Sequence, residues 1–351
     1  MPNIKDVARA CGLSAATVSY VLNNSRPVRP QTRERVMEAV RAMNYHPSAI
    51  ARALSRKRMD TIGIVFPRTE YSPLTSPYFA PVLDGILERA TRHRQNTTLF
   101  TGANWEDSLH SVSIYRDGRC DGLIVIASRV GDPVVESLLA TDFPFVVVSS
   151  QSDDERLTRV DVDNTVASRD LTEYLLGKGH QRIAVLTEYD HQQTYVKQRL
   201  QGWEEALTAA SLPVAPEWVL CGVGMLATGM ESPTPERRVA FRRALEGLFA
   251  LPEKKRPTAL YCLRDREALD VLATLKEMGL RVPEDISVVG FDDIVPAATS
   301  QPPLTTVRQP LRQIGEAAVS LLLARIAEGV PAGELRYLST EIVERESVRA
   351  I

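Results

Sequence analysis

Cysteine is scarce in this chain, and the few cysteines lie far apart. Cys11, Cys120, Cys221 and Cys262 form no CxxC pair and no Cys/His set, which excludes a zinc module and a disulfide framework. They read as small apolar residues of a reducing cytosol. Histidine is equally thin: His46, His93, His110, His180 and His191 make no pair at helical spacing. No GxSxG nucleophile elbow occurs. Gly222-Val223-Gly224-Met225-Leu226-Ala227-Thr228-Gly229 faintly resembles a dinucleotide loop but lacks the GxGxxG spacing. No catalytic residue, metal or cofactor is therefore expected. No apolar run approaches the ~20 residues of a membrane helix. The polar start Met1-Pro2-Asn3-Ile4-Lys5-Asp6 lacks the apolar stretch of a secretory signal, so a cytoplasmic location is expected.

Net charge is also small, −2 over 351 residues, but it is unevenly spread. Residues 1–58 hold eleven basic against three acidic side chains, a balance of +8; the remainder holds 31 against 41, or −10. A basic head on an acidic body implies that only the head meets a polyanion.

The head reads as three helices. Ile4, Val7, Ala8 and Cys11 recur at i, i+3, i+4, i+7. Gly12 suits the positive φ that ends a helix, and Ser14 is a natural N-cap for the next. That second helix buries Val18, Val21 and Leu22. Its other face, Ala15, Ala16, Thr17, Ser19, Tyr20 and Asn23, is small or hydrogen-bonding and uncharged, which suits a DNA major groove. Pro30 opens a third helix whose apolar face is Val36, Ala39, Val40 and Met43.

Helix-turn-helix spacing alone is weak evidence. The run from Ile4 to Asn23, then Thr32-Arg33-Glu34-Arg35-Val36 and Asn44-Tyr45-His46-Pro47, closely resembles the head of the lactose/galactose repressor family. The resemblance implies that Ala15, Ala16 and Tyr20 read bases, that Thr17, Ser19 and Asn23 hold phosphates, and that Lys5 contributes to specificity. It also implies a hinge helix at about 48–56. There Arg52 would meet a phosphate, and Leu54 would wedge into the minor groove.

From residue 61 onward, apolar β-rich runs alternate with helical stretches. The runs are Thr61–Phe66, Thr97–Thr101, Gly122–Ala127, Phe145–Ser149, Ile183–Thr187, Trp218–Cys221, Thr258–Leu263 and Ile286–Phe291. Continuous apolar strands between helices indicate parallel sheets covered on both faces, here enough for two doubly wound lobes. The family resemblance continues through Asp163-Asn164, Gly179-His180, Arg199-Leu200-Gln201-Gly202-Trp203 and Gly290-Phe291-Asp292-Asp293. It implies a periplasmic-binding-protein-like α/β body behind an all-α helix-turn-helix head. The expected bounds are a head at 1–58, an N-lobe at about 59–161 plus 309–337, and a C-lobe at about 162–290 plus 339–351.

A small effector is expected in the interlobe cleft. Asp292 matches the family carboxylate that accepts hydrogen bonds, and Arg199 the arginine on the opposite wall. Tyr78 and Phe79 stand where a stacking aromatic is common. Ser149, Ser150, Gln193 and Tyr195 depart from the pattern, and Tyr195 is taken as a further effector contact. Arg264 departs too: it either faces an anionic effector or pairs with Asp265, Asp292 or Asp293. The expected partners are double-stranded operator DNA, a carbohydrate or derivative, and a second copy of the chain in a dimer or dimer of dimers. The helix face with Val82, Leu83, Ile86 and Leu87 is a candidate dimer contact. A nucleoid-associated repressor follows. A solute-binding protein would need an export signal and no basic head, and a small-molecule enzyme would need a reactive constellation.

Overall fold

A computed structural model of the chain describes residues 2–23, 26–46, 58–66, 74–100, 117–126, 131–149, 154–188, 194–224, 234–328 and 333–351. Two compact units emerge, Met1–Thr61 with Gly118–Asp121, and Ile62–Asp117 with Gly122–Ile351. The expected hinge helix, with Arg52 and Leu54, lies outside the described residues.

In the first unit, α1 (Ile4–Ala10) opens on a capping box. The Asn3 side chain accepts from the Lys5 and Asp6 amides at 2.9 and 3.2 Å, and the Asp6 carboxylate accepts from the Asn3 amide at 2.9 Å. Gly12, at φ 61°, turns the chain, and Ser14 Oγ accepts the Thr17 amide at 3.1 Å to start α2 (Ala15–Asn23). Pro30 begins α3 (Pro30–Ala42). Val7, Ala8, Cys11, Val18, Val21 and Val36 close one small core.

The second unit holds two six-stranded sheets. The first contains β1 (Thr61–Val65), β2 (Asn96–Phe100), β3 (Gly122–Ile126), β4 (Phe145–Val148), β5 (Arg159–Val162) and β11 (Leu335–Leu338), in the order β11-β5-β4-β3-β1-β2. The second contains β6 (Ile183–Thr187), β7 (Val219–Cys221), β8 (Ala259–Cys262), β9 (Ser287–Asp292), β10 (Thr305–Arg308) and β12 (Glu341–Val343), in the order β12-β10-β9-β8-β6-β7. Pairing is parallel at β1–β3, β3–β4, β4–β5, β5–β11, β6–β7, β6–β8, β8–β9 and β9–β10, and antiparallel at β10–β12. The central strands are buried along their length, as two-sided coverage requires.

The chain passes between the sheets after β5, after β10 and after β11. The second sheet thus runs on to Arg308, past the expected bound at 290. Two expectations about helices need correction. On α4 (Phe79–Arg92), Val82, Leu83 and Ile86 belong to the core of the first lobe, under α11 (Leu311–Glu328). Only Leu87 of that proposed contact is exposed, at 40%. Asn23 is buried at 8%, not presented outward, and donates to Ser19 Oγ at 3.1 Å.

Candidate functional site

In the first unit, Lys5 and Ala16 are exposed, and Ala15, Thr17, Ser19 and Tyr20 are half-buried. The Arg26 guanidinium lies 4.8 Å from the centre of the Tyr20 ring, a cation–π contact that restrains this side chain. Thr17 Oγ1 is already bonded to Ser14 Oγ at 2.9 Å. Arg35, counted above with the basic residues, acts internally. Its Nε donates to the Cys11 carbonyl at 2.8 Å, and Nη2 reaches the same carbonyl and that of Gly12. It ties α3 to the turn that sets the angle of α2.

In the second unit, the residues at the carboxyl ends of neighbouring parallel strands gather the polar side chains, where open α/β sheets bind ligands. Asp292 ends β9 and is buried, at φ 131°, a conformation that favours glycine. Gln309 follows β10 and donates from Nε2 to Asp292 Oδ1 at 2.7 Å. Arg199 comes from α7 (Thr194–Ala209), which packs on α6 (Asn164–Gly177). Gly202 makes that packing possible, because a Cβ there would lie 2.2 Å from the Thr165 carbonyl oxygen. Ser168 Oγ donates to the Arg199 carbonyl.

The Arg199 guanidinium is fixed on every side. Its Nε donates to Asn164 Oδ1 at 2.8 Å and its Nη1 to the Leu263 carbonyl. It lies 3.6 Å above the Phe291 ring and 5.1 Å from that of Tyr195. Nη1 stands 3.8 Å from Asp292 Oδ1. Arg199 and Asp292 are thus paired neighbours on one lobe. The expectation that they face each other from opposite walls is overturned, because α7 sits on the same sheet that β9 belongs to.

The other wall comes from the first sheet. Tyr78 Oη and Ser149 Oγ are 2.8 Å apart, beyond the end of β4. Phe79 packs edge-on between Tyr78 and Phe66, with centroids at 5.1 and 5.9 Å, and leans on the lobe core. Burial raises the Tyr78 hydroxyl well above its ordinary pKa, and the charges of Asp161 and Asp292 add to this. Burial also pushes Asp161 up to about 7, against the pull of the Val162 amide and of Arg199. Tyr78 and Asp161 thus lie within electrostatic reach of Asp292 and Arg199. Burial raises Asp292 as well, opposed by Arg199 and Arg264. Asp265 is raised by burial and by the charge of Asp292, and it braces the β9–β10 connection by accepting from the Ile294 amide and the Thr306 hydroxyl.

Arg264 follows β8. Its carboxylate partners are Glu188 at 2.8 Å and Glu267 at 3.1 Å, not the three aspartates weighed from the sequence. Gln193 and Ser150 lie outside the described residues. Sequence reasoning passed over Asp161, Glu188, Glu267 and Gln309 and used Asn164 only as part of a pattern. Asking which residues close each strand would have found Glu188 and Gln309.

Residues 3–48 match the family described as bacterial regulatory proteins, lacI family, and residues 172–348 match a periplasmic binding protein-like domain. The HTH-type transcriptional repressor PurR of Aliivibrio fischeri is 36% identical over 353 residues, 99% of this chain and 98% of that protein. PurR of Vibrio cholerae is 35% identical over 354 residues, 99% and 98% of the two chains. The lac repressor dimer bound to operator and the anti-inducer ONPF superposes with a TM-score of 0.79 at 26% identity, covering 99% of each chain. The transcriptional regulator CelR in complex with cellobiose gives 0.70 at 28% identity, over 99% and 100%. The chain belongs to the lacI family of bacterial regulatory proteins: it is a helix-turn-helix DNA-binding repressor with a periplasmic-binding-protein-like effector domain.

Proposed function

We propose that this repressor binds a pseudo-palindromic operator as a dimer and is switched by a sugar or sugar derivative held between the ends of the two sheets. It acts without catalysis, in the cytoplasm at the nucleoid. Lys5, Ala15, Ala16 and Tyr20 form the base-reading surface, with Thr17 and Ser19 beside it. Arg52 and Leu54 of the hinge complete the DNA contact. One head covers a half-site, so two copies are needed. A CelR complex with cellobiose and a lac repressor complex with ONPF support a small polar effector. No helix among the described residues is long and apolar enough to cross a membrane.

The buried Arg199–Asp292 pair, opposite Tyr78 and Asp161, carries the effector reading. Arg199 and Asp292 are braced by Asn164, Gln309 and Phe291, so their remaining polar valences point in fixed directions. Tyr195 extends the surface beside Arg199. Asp292→Asn tests this. It replaces an acceptor by a donor facing Gln309 and Arg199, and such mispairing costs ~1–3 kcal/mol or more. The variant should hold operator DNA but require at least tenfold more effector to respond. An unchanged response in operator titrations would move the site elsewhere.

A further inference from the structure

At the strand ends the Arg264 guanidinium is held by carboxylates, while two buried acceptors nearby are left over. Arg199 Nε and Nη1 are engaged by Asn164, the Leu263 carbonyl and Asp292. Arg264 sits between Glu188 and Glu267, with both Nε and Nη2 on Glu267 Oε1. Arg308 and Arg345 are both drawn to Asp293. The Thr187 hydroxyl and the Glu188 amide also converge on Glu267 Oε1, each at 3.0 Å. Two buried acceptors nevertheless have no hydrogen-bond partner: Glu267 Oε2, on a residue 2% exposed, and Gln309 Oε1. They flank Asp292 on either side along the strand order. Asp270 lies close enough to Glu188 and Glu267 for their charges to act on it. Among the described residues, no group of three or more His, Cys, Asp or Glu is placed to hold a metal ion.

We infer that the cleft selects an uncharged or cationic effector rich in O–H or N–H donors, and that Glu188 and Glu267 enforce this by neutralising Arg264. The inference rests on the effector cleft proposed above and assigns it a charge preference. An anion brings only acceptors. Here it would find Arg264 already held by two carboxylates, and would have to displace one of them to gain that partner. A donor-rich ligand meets the opposite situation, because surplus acceptors await it. Arg264 is then a clamp rather than an anion receptor, and Glu188 and Glu267 are specificity-determining residues.

The test uses the full-length protein and ligands matched by scaffold: glucose, glucosamine, glucose 6-phosphate and gluconate; cellobiose; adenine and hypoxanthine with their 5′-monophosphates. Affinities are measured by calorimetry for the wild type, Glu188→Gln and Glu267→Gln, after thermal melts establish that each variant folds. In the wild type, the uncharged or amino member of the responding set should bind at least tenfold tighter than its phosphate or acid counterpart. Glu188→Gln should narrow that ratio several-fold by releasing Arg264. Should Glu188→Gln not fold, Glu267→Gln reads the same ratio, and the wild-type comparison stands on its own. An anion that binds wild type as well as its uncharged parent overturns the inference while leaving the effector cleft intact. A ratio unchanged in both folded variants overturns the role of the glutamates. Silence across the whole panel, or binding that Asp292→Asn does not weaken, fails the cleft reading itself and the inference with it.

Discussion

The head and the effector cleft use charge in opposite ways. In the head, Lys5, Arg9 and Arg29 stay in water, and the charges sum to a field that draws in a polyanion and fades with salt. In the cleft, Arg199, Asp292 and Glu267 are buried, and each acts on a few named neighbours at contact distance. A long-range field suits a partner whose charge repeats along its length. Short-range buried pairs suit a partner chosen by shape and by hydrogen-bond sense. Arg35 cuts across the division: it belongs to the basic head by sequence, yet it works as the cleft arginines do, on local carbonyls.

The largest effect should come from breaking a buried pair. Arg199→Met leaves Asp292 without its counter-ion, and the loss of one partner of a buried pair costs about 3–5 kcal/mol. Denaturant melts of the full chain should show that loss, together with a missing effector response. Stability equal to wild type would reduce the pair to incidental proximity.

Asp161 should come next. In the native chain it keeps its proton to about pH 7, whereas its ordinary value is 3.8. Between these limits the native state binds more protons than the unfolded chain, so this group makes stability fall as pH rises through the window. Asp161→Asn should remove that fall, raising stability at pH 8 relative to pH 5 by on the order of 2–3 kcal/mol. Parallel pH profiles for wild type and variant would argue against a protonated Asp161.

Arg35 sharpens the comparison within the head. Arg35→Met takes the donor from the Cys11 and Gly12 carbonyls, which should cost about 1–3 kcal/mol. Operator affinity should drop with it, while the slope of log affinity against log salt stays the same. Lys5→Met should behave in reverse: little change in stability, and a loss of affinity larger for operator than for unrelated DNA, as the loss of a base contact requires. A flattened slope for Arg35→Met would return that arginine to the DNA surface. The smallest effect belongs to the cap of α1. Asn3→Ala should destabilise the head by about 1 kcal/mol, readable as a shifted melt of the head with the salt slope untouched.

Much of the fold was legible in the residues. Gly12, Ser14 and Pro30 mark the helix boundaries of the head because backbone conformation and capping are local chemistry. Runs such as Ile62 to Val65 and Val288 to Phe291 show central strands, because burial on both faces demands unbroken apolar sequence. β5, with Arg159 and Asp161 in four residues, and the exposed edge strands β11 and β12 carry no such signal. Their pairing comes from neighbours already in place, and so they were missed.

The candidate site divides in the same manner. Asp292, Arg199 and Tyr78 could be named from the family pattern, since that pattern fixes residue type and position, and Arg264 as a departure from it. Their partners could not. Whether Arg199 faces Asp292 or stands beside it depends on which sheet α7 packs against. Whether Arg264 is open to a ligand depends on Glu188, 76 positions earlier in the chain, and on Glu267, one helical turn ahead. Sequence alone set the helix-turn-helix, the basic head, the two doubly wound lobes and the identity of the polar residues at their strand ends. Only the tertiary structure decided which charges are cancelled, because cancellation depends on distances of a few ångströms between residues that chain order leaves far apart.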